Sequence, residues 1–291
     1  MSALSAQAQS CSSVDLRITP GGRALGDVRN QGSMGWCASF STADLISYRQ
    51  RQKISGLGVA IHWTNRTTDL STRVKRLLYD TVPTLEPGGS SPRKVLNSLR
   101  GRSQCLETDL PSEDNGVLNL RRTLASIVSV KTSFDDTGVC SPSGVDTIRS
   151  MFPRLDTQNI LSVLRASTVT DIHWNLLYRN CRGRPQRVES GSFALSKSWG
   201  DLDDQLSRGN LVAFSYNARV LKNAQETSTG QTHSSTIVGR RMRAGKCEYL
   251  VRNSWGRSCG YYDRSYPCEK GNIWVPKENL SRSASDFSYY P

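Results

Sequence analysis

Gln31-Gly32-Ser33-Met34-Gly35-Trp36-Cys37-Ala38-Ser39-Phe40-Ser41 is the stretch on which the fold of this chain turns. Glycines at 21, 22, 26, 32 and 35 make a loop-rich approach to Cys37, whereas the residues from Cys37 to about Lys53 include neither Gly nor Pro. Phe40, Ala43, Leu45 and Ile46 fall at helix-compatible spacing within that run. The pattern predicts a helix that starts at or just before Cys37. A thiol at such a start is favoured as thiolate, because unpaired backbone N–H groups and the helix dipole stabilise negative charge.

A nucleophilic thiolate needs a base, and the chain has three histidines, His62, His173 and His233. His62 and His173 each precede a Trp inside a polar or helical stretch and are read as structural. His233 opens a β-prone run over 234–238 after a Gly- and Thr-rich loop, a strand-edge position from which an imidazole can face a cleft. Twenty residues on, Asn253-Ser254-Trp255-Gly256 offers an amide to orient that imidazole and an indole, Trp255, to shield the bond from water.

The 291 residues suffice for one large domain or two packed lobes, with no need of a metal or disulfide merely to fold. At 36% hydrophobic and 22% charged the chain reads as globular, and no apolar run has the length of a membrane span. Segments 117–131, 143–152 and 156–180 mix Leu, Ile and Val with Arg and Asp at helical spacing, with Pro153 as a break. From about Leu211 short β-prone runs appear at 211–214, 235–238, 249–251 and 272–275, separated by Gly, Asn and Ser. A helical front and an antiparallel β back make an α+β protein. The net charge of +13 favours an anionic surface or an acidic protein as partner. Arg240-Arg241-Met242-Arg243 and the arginines of 179–187 lack the aromatic interleaving that stacks bases, so nucleic acid is not the expected partner.

Eight cysteines (Cys11, Cys37, Cys105, Cys140, Cys181, Cys247, Cys259, Cys268) lack C-x-x-C pairs and suggest disulfides. Ala6-Gln7-Ala8 resembles a signal cleavage site, so residues 1–13 are read as a signal remnant or flexible arm and the mature chain as starting near Gln9. The expected compartment is oxidising: secreted or periplasmic. With Cys37 set aside, seven cysteines fit three disulfides and a spare thiol. Cys11, in the arm, is the expected spare, and Cys259 and Cys268 are expected to close the loop 260–267. A zinc site of Cys247, Cys259, Cys268 and His233 matches no common zinc spacing, and no metal site is assigned.

The stretch around Cys37 resembles the active-site segment of papain-like (C1 type) cysteine peptidases, in which a Gln six residues before the nucleophile helps form the oxyanion hole; Gln31 has that spacing. The His233 loop and Asn253-Ser254-Trp255-Gly256 are similar to the family's second and third motifs, in the order Gln, Cys, His, Asn. Gly88-Gly89 is similar to the glycine pair that binds substrate backbone, and Val14-Asp15-Leu16-Arg17 resembles the start of the mature domain. The matches run from about Val14 to Trp274, most of the chain. Three positions depart from the family: Met34 stands where a disulfide cysteine is usual, Trp36 precedes rather than follows the nucleophile, and Thr232 precedes His233.

The resemblance implies a two-lobe fold, helical in the left lobe and an antiparallel β-barrel-like sheet in the right, with the site between them. It implies a peptidase domain over 14–291, of bacterial type, with a mainly helical insertion at about 116–188; the polar tail at 281–291 is expected from its composition to fray. Cys37, His233, Asn253 and Gln31 would be catalytic, and Gly88, Gly89 and Trp255 would meet substrate. The substrate would be a protein or peptide, the enzyme monomeric and without cofactor, and the insertion or the arm around Cys11 would cover the cleft. The rival readings are a cell-wall peptide amidase and a catalytically silent papain-fold binding protein.

Overall fold

The glycine-rich approach to Cys37 contains a short helix, α1 (Pro20–Leu25), and the uninterrupted run after it is a longer one, α2 (Cys37–Gln50). The computed structural model of the chain describes residues 11–32, 35–67, 91–102, 104–112, 115–168, 171–181, 195–196, 199–228 and 233–291. Thr19 starts α1: its hydroxyl accepts the Gly22 N–H at 3.0 Å, and Pro20 takes the first helical position. Gly21 lets α1 approach α2 closely, because a Cβ there would stand 2.5 Å from the Tyr48 carbonyl oxygen.

α2 is buried without interruption from Ala38 to Ser47. Its hydroxyls tolerate this because Ser41 and Thr42 donate to the Ala38 carbonyl (3.1 and 2.7 Å) and Ser47 donates to that of Ala43 (2.6 Å). Two cores meet on this helix. Ala38, Ala43, Leu45 and Ile46 join the cluster under the sheet, while Phe40, with Trp36, joins a second cluster made by helices. Arg51, at φ 55°, ends it in a left-handed cap.

The second cluster belongs to α3 (Gly56–Thr67), α5 (Asn115–Thr137), α6 (Pro142–Met151), α7 (Thr157–Ala166) and α8 (Ile172–Asn180), with α4 (Pro92–Ser98) in between along the chain. Side chains of Ser141 and Asp156 cap α6 and α7, and α6 stops just short of Pro153. Ile160, Val163 and Leu164 on α7 and Ile172 and Leu176 on α8 are buried at helical spacing.

The sheet is antiparallel and runs β2 (Leu195–Ser196), β8 (Ser285–Tyr289), β3 (Val212–Tyr216), β4 (His233–Arg243), β5 (Lys246–Arg252), β7 (Asn272–Pro276), β6 (Cys268–Glu269), with β1 (Val14–Asp15) added to β4. Helices α9 (Trp199–Ser207), α10 (Arg219–Lys222) and α11 (Lys277–Ser281) complete the described elements. The path is open, with β2 and β6 at its ends, so the expected barrel-like closure is not made among the described residues.

Two expectations are corrected. The tail at 281–291 is not frayed: β8 lies between β2 and β3, with Phe287 buried 5.1 Å from the Trp199 ring. Cys11 is not the spare thiol. Pairing of Val14 with Arg240 brings residue 11 beside β5, where Cys11 bonds Cys247, and the Arg240 Nε–H donates to the Ser12 carbonyl at 2.9 Å. The other bridges are Cys105–Cys181 and the expected Cys259–Cys268, which leaves Cys37 and Cys140 as the free thiols. Ala6-Gln7-Ala8 and Gly88-Gly89 lie outside the described residues, and no described helix is long and apolar enough to cross a membrane.

His62 and His173 are both buried in the helical part; His62 Nε2 lies 3.1 Å from the Ser98 carbonyl, while neither ring nitrogen of His173 has a hydrogen-bond partner among the described residues. Burial holds His173 down to about 4, against an ordinary 6.5. The unfolded chain therefore binds the extra proton between these values, so stability from this residue is full above about pH 6.5 and is lost as pH falls through about 4. His173→Leu is expected to shrink the difference in unfolding free energy between pH 7 and pH 4.5 by about 2 kcal/mol, measured by urea titration at each pH.

Candidate active site

Cys37 is the first residue of α2 and is half-buried. The N-cap is Trp36, whose side chain makes no capping hydrogen bond, and no acidic residue occupies the first turn. The Ser39 and Phe40 N–H groups both return to the Trp36 carbonyl, at 2.9 and 3.0 Å. Cys37 thus sits in the first turn of α2, where the positive end of a helix favours a thiolate.

Gln31 is held from the other side. Its N–H donates to the Ser254 carbonyl at 2.9 Å, Asn30 pairs with Trp255, and the Gly256 N–H donates to the Arg29 carbonyl at 2.9 Å. The segment that precedes Cys37 is thus laid antiparallel on the Asn253-Ser254-Trp255-Gly256 segment. The Ser254 hydroxyl donates to Gln31 Oε1, so the end of the amide that carries donors is Nε2.

Beneath both segments lies an ion network. Asp44 of α2 bonds Arg29 Nη1 through one oxygen and Arg252 Nε, at 3.2 Å, through the other. Arg29 Nε also reaches Glu107 at 3.2 Å, and Arg252 donates to the carbonyls of Leu25, Gly26 and Asp27 at 2.7–3.1 Å. Arg29 and Arg252, next to the two site-bearing segments, are 3% and 4% exposed, so these pairs are dry and strongly geometric.

His233 begins β4, opposite Tyr216 of β3. Its Nε2–H donates to Asn253 Oδ1 at 2.6 Å, and that oxygen also receives the Ser254 N–H (2.8 Å) and the Ser235 hydroxyl (3.0 Å). The ring is 7% exposed, meets Tyr216 edge-on at 5.8 Å and tilts against Trp255 at 5.1 Å. Trp255 in turn carries Lys222 Nζ 5.1 Å from its centroid and stacks on Tyr262 at 5.8 Å. Burial pushes the imidazole down to about 4; the Asn253 bond opposes this and the Lys222 charge adds to it.

The structure therefore gathers Gln31, His233, Asn253 and Trp255 into one set of contacts. Cys37 stands at the end of the helix that packs on β4, where Thr236 Oγ1 donates to the Ser41 carbonyl at 3.4 Å. Tyr216 packs against the imidazole, its ring meeting His233 edge-on, and burial is the chief cause that raises its hydroxyl. Gly88 and Gly89 lie outside the described residues. Sequence reasoning missed Ser235, Ser254, Tyr216 and Tyr262. Ser235 was findable, since two residues beyond His233 on a strand means the same face. Cys247, Cys259 and Cys268 are disulfide sulfurs, which removes the zinc reading.

No protein-family model matches the sequence, and no curated protein does so. Solved structures do resemble it. Procathepsin L 3 of Tenebrio molitor larval midgut is 14% identical, with a TM-score of 0.51 over 96% of this chain and 69% of its own. Xylellain, a cysteine protease from Xylella fastidiosa, is 17% identical, with a TM-score of 0.50 over 95% and 84%. The Carica candamarcensis cysteine protease CMS1MS2, solved in complex with E-64, is 16% identical, with a TM-score of 0.50 over 96% and 97%. The fold is papain-like. In papain-like terms, the helical cluster and the open sheet are the two lobes, and α2 with the start of β4 lies where they meet.

Asp44→Ala would leave two buried guanidiniums, Arg29 and Arg252, without their shared carboxylate. The expected cost is about 3–5 kcal/mol in urea unfolding, whereas Glu269→Gln, at the exposed Arg17–Glu269 pair, should change stability by less than about 1 kcal/mol.

Proposed function

We propose that this chain is a cysteine peptidase in which Cys37 and His233 form a thiolate–imidazolium pair. The observation that carries the reading is the buried 2.6 Å hydrogen bond from His233 Nε2–H to Asn253 Oδ1, with Cys37 as the first residue of the helix that packs on the strand His233 begins. With Nε2 committed as a donor, Nδ1 is the nitrogen left to exchange a proton with the thiol. A buried imidazole held near 4 resists charge on its own, so it is protonated chiefly when a thiolate forms beside it.

The Cys37 sulfur attacks the scissile carbonyl, and the developing oxyanion is met by Gln31 Nε2 and the Cys37 backbone N–H at the positive end of α2. His233 protonates the departing amine, leaving a thioester. It then takes a proton from water, whose oxygen attacks the thioester carbonyl and releases the acid. Asn253 keeps the imidazole in the Nε2–H form and Trp255 covers that bond, while Gly88-Gly89 would hold an extended peptide.

The reading extends to a peptidase domain over 14–291, with the helices of 116–188 as an addition to it. Protein or peptide is the substrate, and the +13 charge suits an anionic surface near its place of action. The three disulfides suit secretion or a periplasmic location.

Alkylation of Cys37 by iodoacetamide, located by peptide mass spectrometry across pH, tests the pair. Reaction is expected well below the ordinary thiol pKa of about 8.5, and His233→Ala should move it back to that range. A wild-type Cys37 that stays inert until alkaline pH would overturn the proposal. On a fluorogenic peptide, Gln31→Ala is expected to lower kcat by about 10²–10³ with the fold retained, as read by circular dichroism.

A further inference from the structure

Behind the His233–Asn253 pair runs a line of buried hydroxyls that the peptidase steps do not use. Tyr216, Ser235 and Asn253 are each no more than 1% exposed. The Tyr216 hydroxyl lies 2.9 Å from Ser235 Oγ, which lies 3.0 Å from Asn253 Oδ1. The direction of this line follows from elementary bonding. Asn253 Oδ1 has no proton to give, so the single hydroxyl proton of Ser235 points to it. Ser235 Oγ can then only accept from Tyr216, whose phenol must be the donor. Every proton in the line points toward the oxygen that also holds His233.

That oxygen carries three donors: His233 Nε2–H, Ser235 O–H and Ser254 N–H. A carbonyl oxygen has two lone pairs, so three donors share them and each draws electron density from the same atom. The share left to the imidazole is smaller than it would be with Ser254 alone. The Tyr216 bond adds to this, because a hydroxyl that accepts a hydrogen bond becomes a stronger donor.

We propose that Ser235, locked as a donor by Tyr216, is a positioning residue that fixes the Asn253 carboxamide, weakens its carbonyl as an acceptor for His233, and so sets the pH at which the imidazolium gives up its proton. The proposal rests on the peptidase reading for its catalytic consequence, though not for its effect on the imidazole. The other titratable or charged groups around His233 are Tyr216 from β3 and Lys222 from α10, with Tyr262 reaching it through Asn253, whose Nδ2 donates to the Tyr262 hydroxyl at 3.4 Å; Cys37 begins α2, the helix that packs on β4. Ser235→Ala leaves all of these in place.

Two measurements test it. In a Cys37→Ala background, imidazole 15N shifts are followed against pH by NMR. His233 is expected in the Nε2–H form, and Ser235→Ala should raise its pKa by about half a unit to one unit, the scale of one hydrogen bond. Tyr216→Phe should move it the same way by less, acting through Ser235, and Ser235→Thr, which keeps the hydroxyl, should restore the original value. In the Cys37 protein, the alkaline limb of iodoacetamide reactivity and of peptide turnover should rise in the same order. An unchanged His233 titration in Ser235→Ala, with only lowered melting temperature or kcat, would assign Ser235 a merely structural role and overturn the proposal, as would a downward shift. If Cys37 reactivity proves independent of His233, the peptidase reading fails while the NMR titration still decides the role of the hydroxyl line.

Discussion

Asp44 is the residue on which the assembly of the site depends. One carboxylate in the middle of α2 takes Arg29 on one oxygen and Arg252 on the other, and these arginines stand two residues before Gln31 and one before Asn253. Two segments separated by more than two hundred residues are thereby referred to a single helix, the one that starts with Cys37. Pairs buried this deeply contribute little net stability against a hydrophobic alternative, because desolvation offsets most of the attraction. What they supply is direction, since a guanidinium fork accepts few arrangements around a carboxylate. The proposed site would need direction more than stability, since an amide and an imidazole from opposite sides would have to meet the end of one helix.

The two lobes differ in how they support that meeting. On the sheet side, His233 and Asn253 are fixed by hydrogen bonds at the start of β4 and just past the end of β5, strands that pair along most of their length. On the helical side, α2 is wedged between apolar clusters, with Phe40 and Trp36 facing one and Ala38, Leu45 and Ile46 the other. Packed interiors yield little, so the helix start cannot drift without opening a void. The proposed nucleophile is thus held by packing and the proposed base by hydrogen bonds.

Much of this was legible in the sequence, for a physical reason. Helix starts and short strands are announced locally, by Gly and Pro before Cys37 and by β-prone runs after His233, and these carry the papain-like order of Gln31, Cys37, His233 and Asn253. Partnerships across the chain are not announced. Nothing near Cys11 says that β1 pairs with β4 and brings it to Cys247, so its local sequence reads as a free arm. Ser285-Asp286-Phe287-Ser288-Tyr289 reads as a fraying tail by its polar composition; only its neighbours β2 and β3, far off in sequence, make it a strand. Ser235 and Tyr216 carry ordinary β-strand signals, and their role depends on a register that sequence alone does not set.

The position of β8 has a consequence for the order in which the protein can be made. The last described strand is not an addition at the edge of the sheet; it occupies a place between β2 and β3, and β1, the first strand, attaches to β4. During synthesis the helix that starts with Cys37 emerges early, but β3 lacks one of its two described neighbours until β8 has left the ribosome. The sheet that carries His233 therefore reaches its described form only after Tyr289 has emerged, long after the cysteine helix.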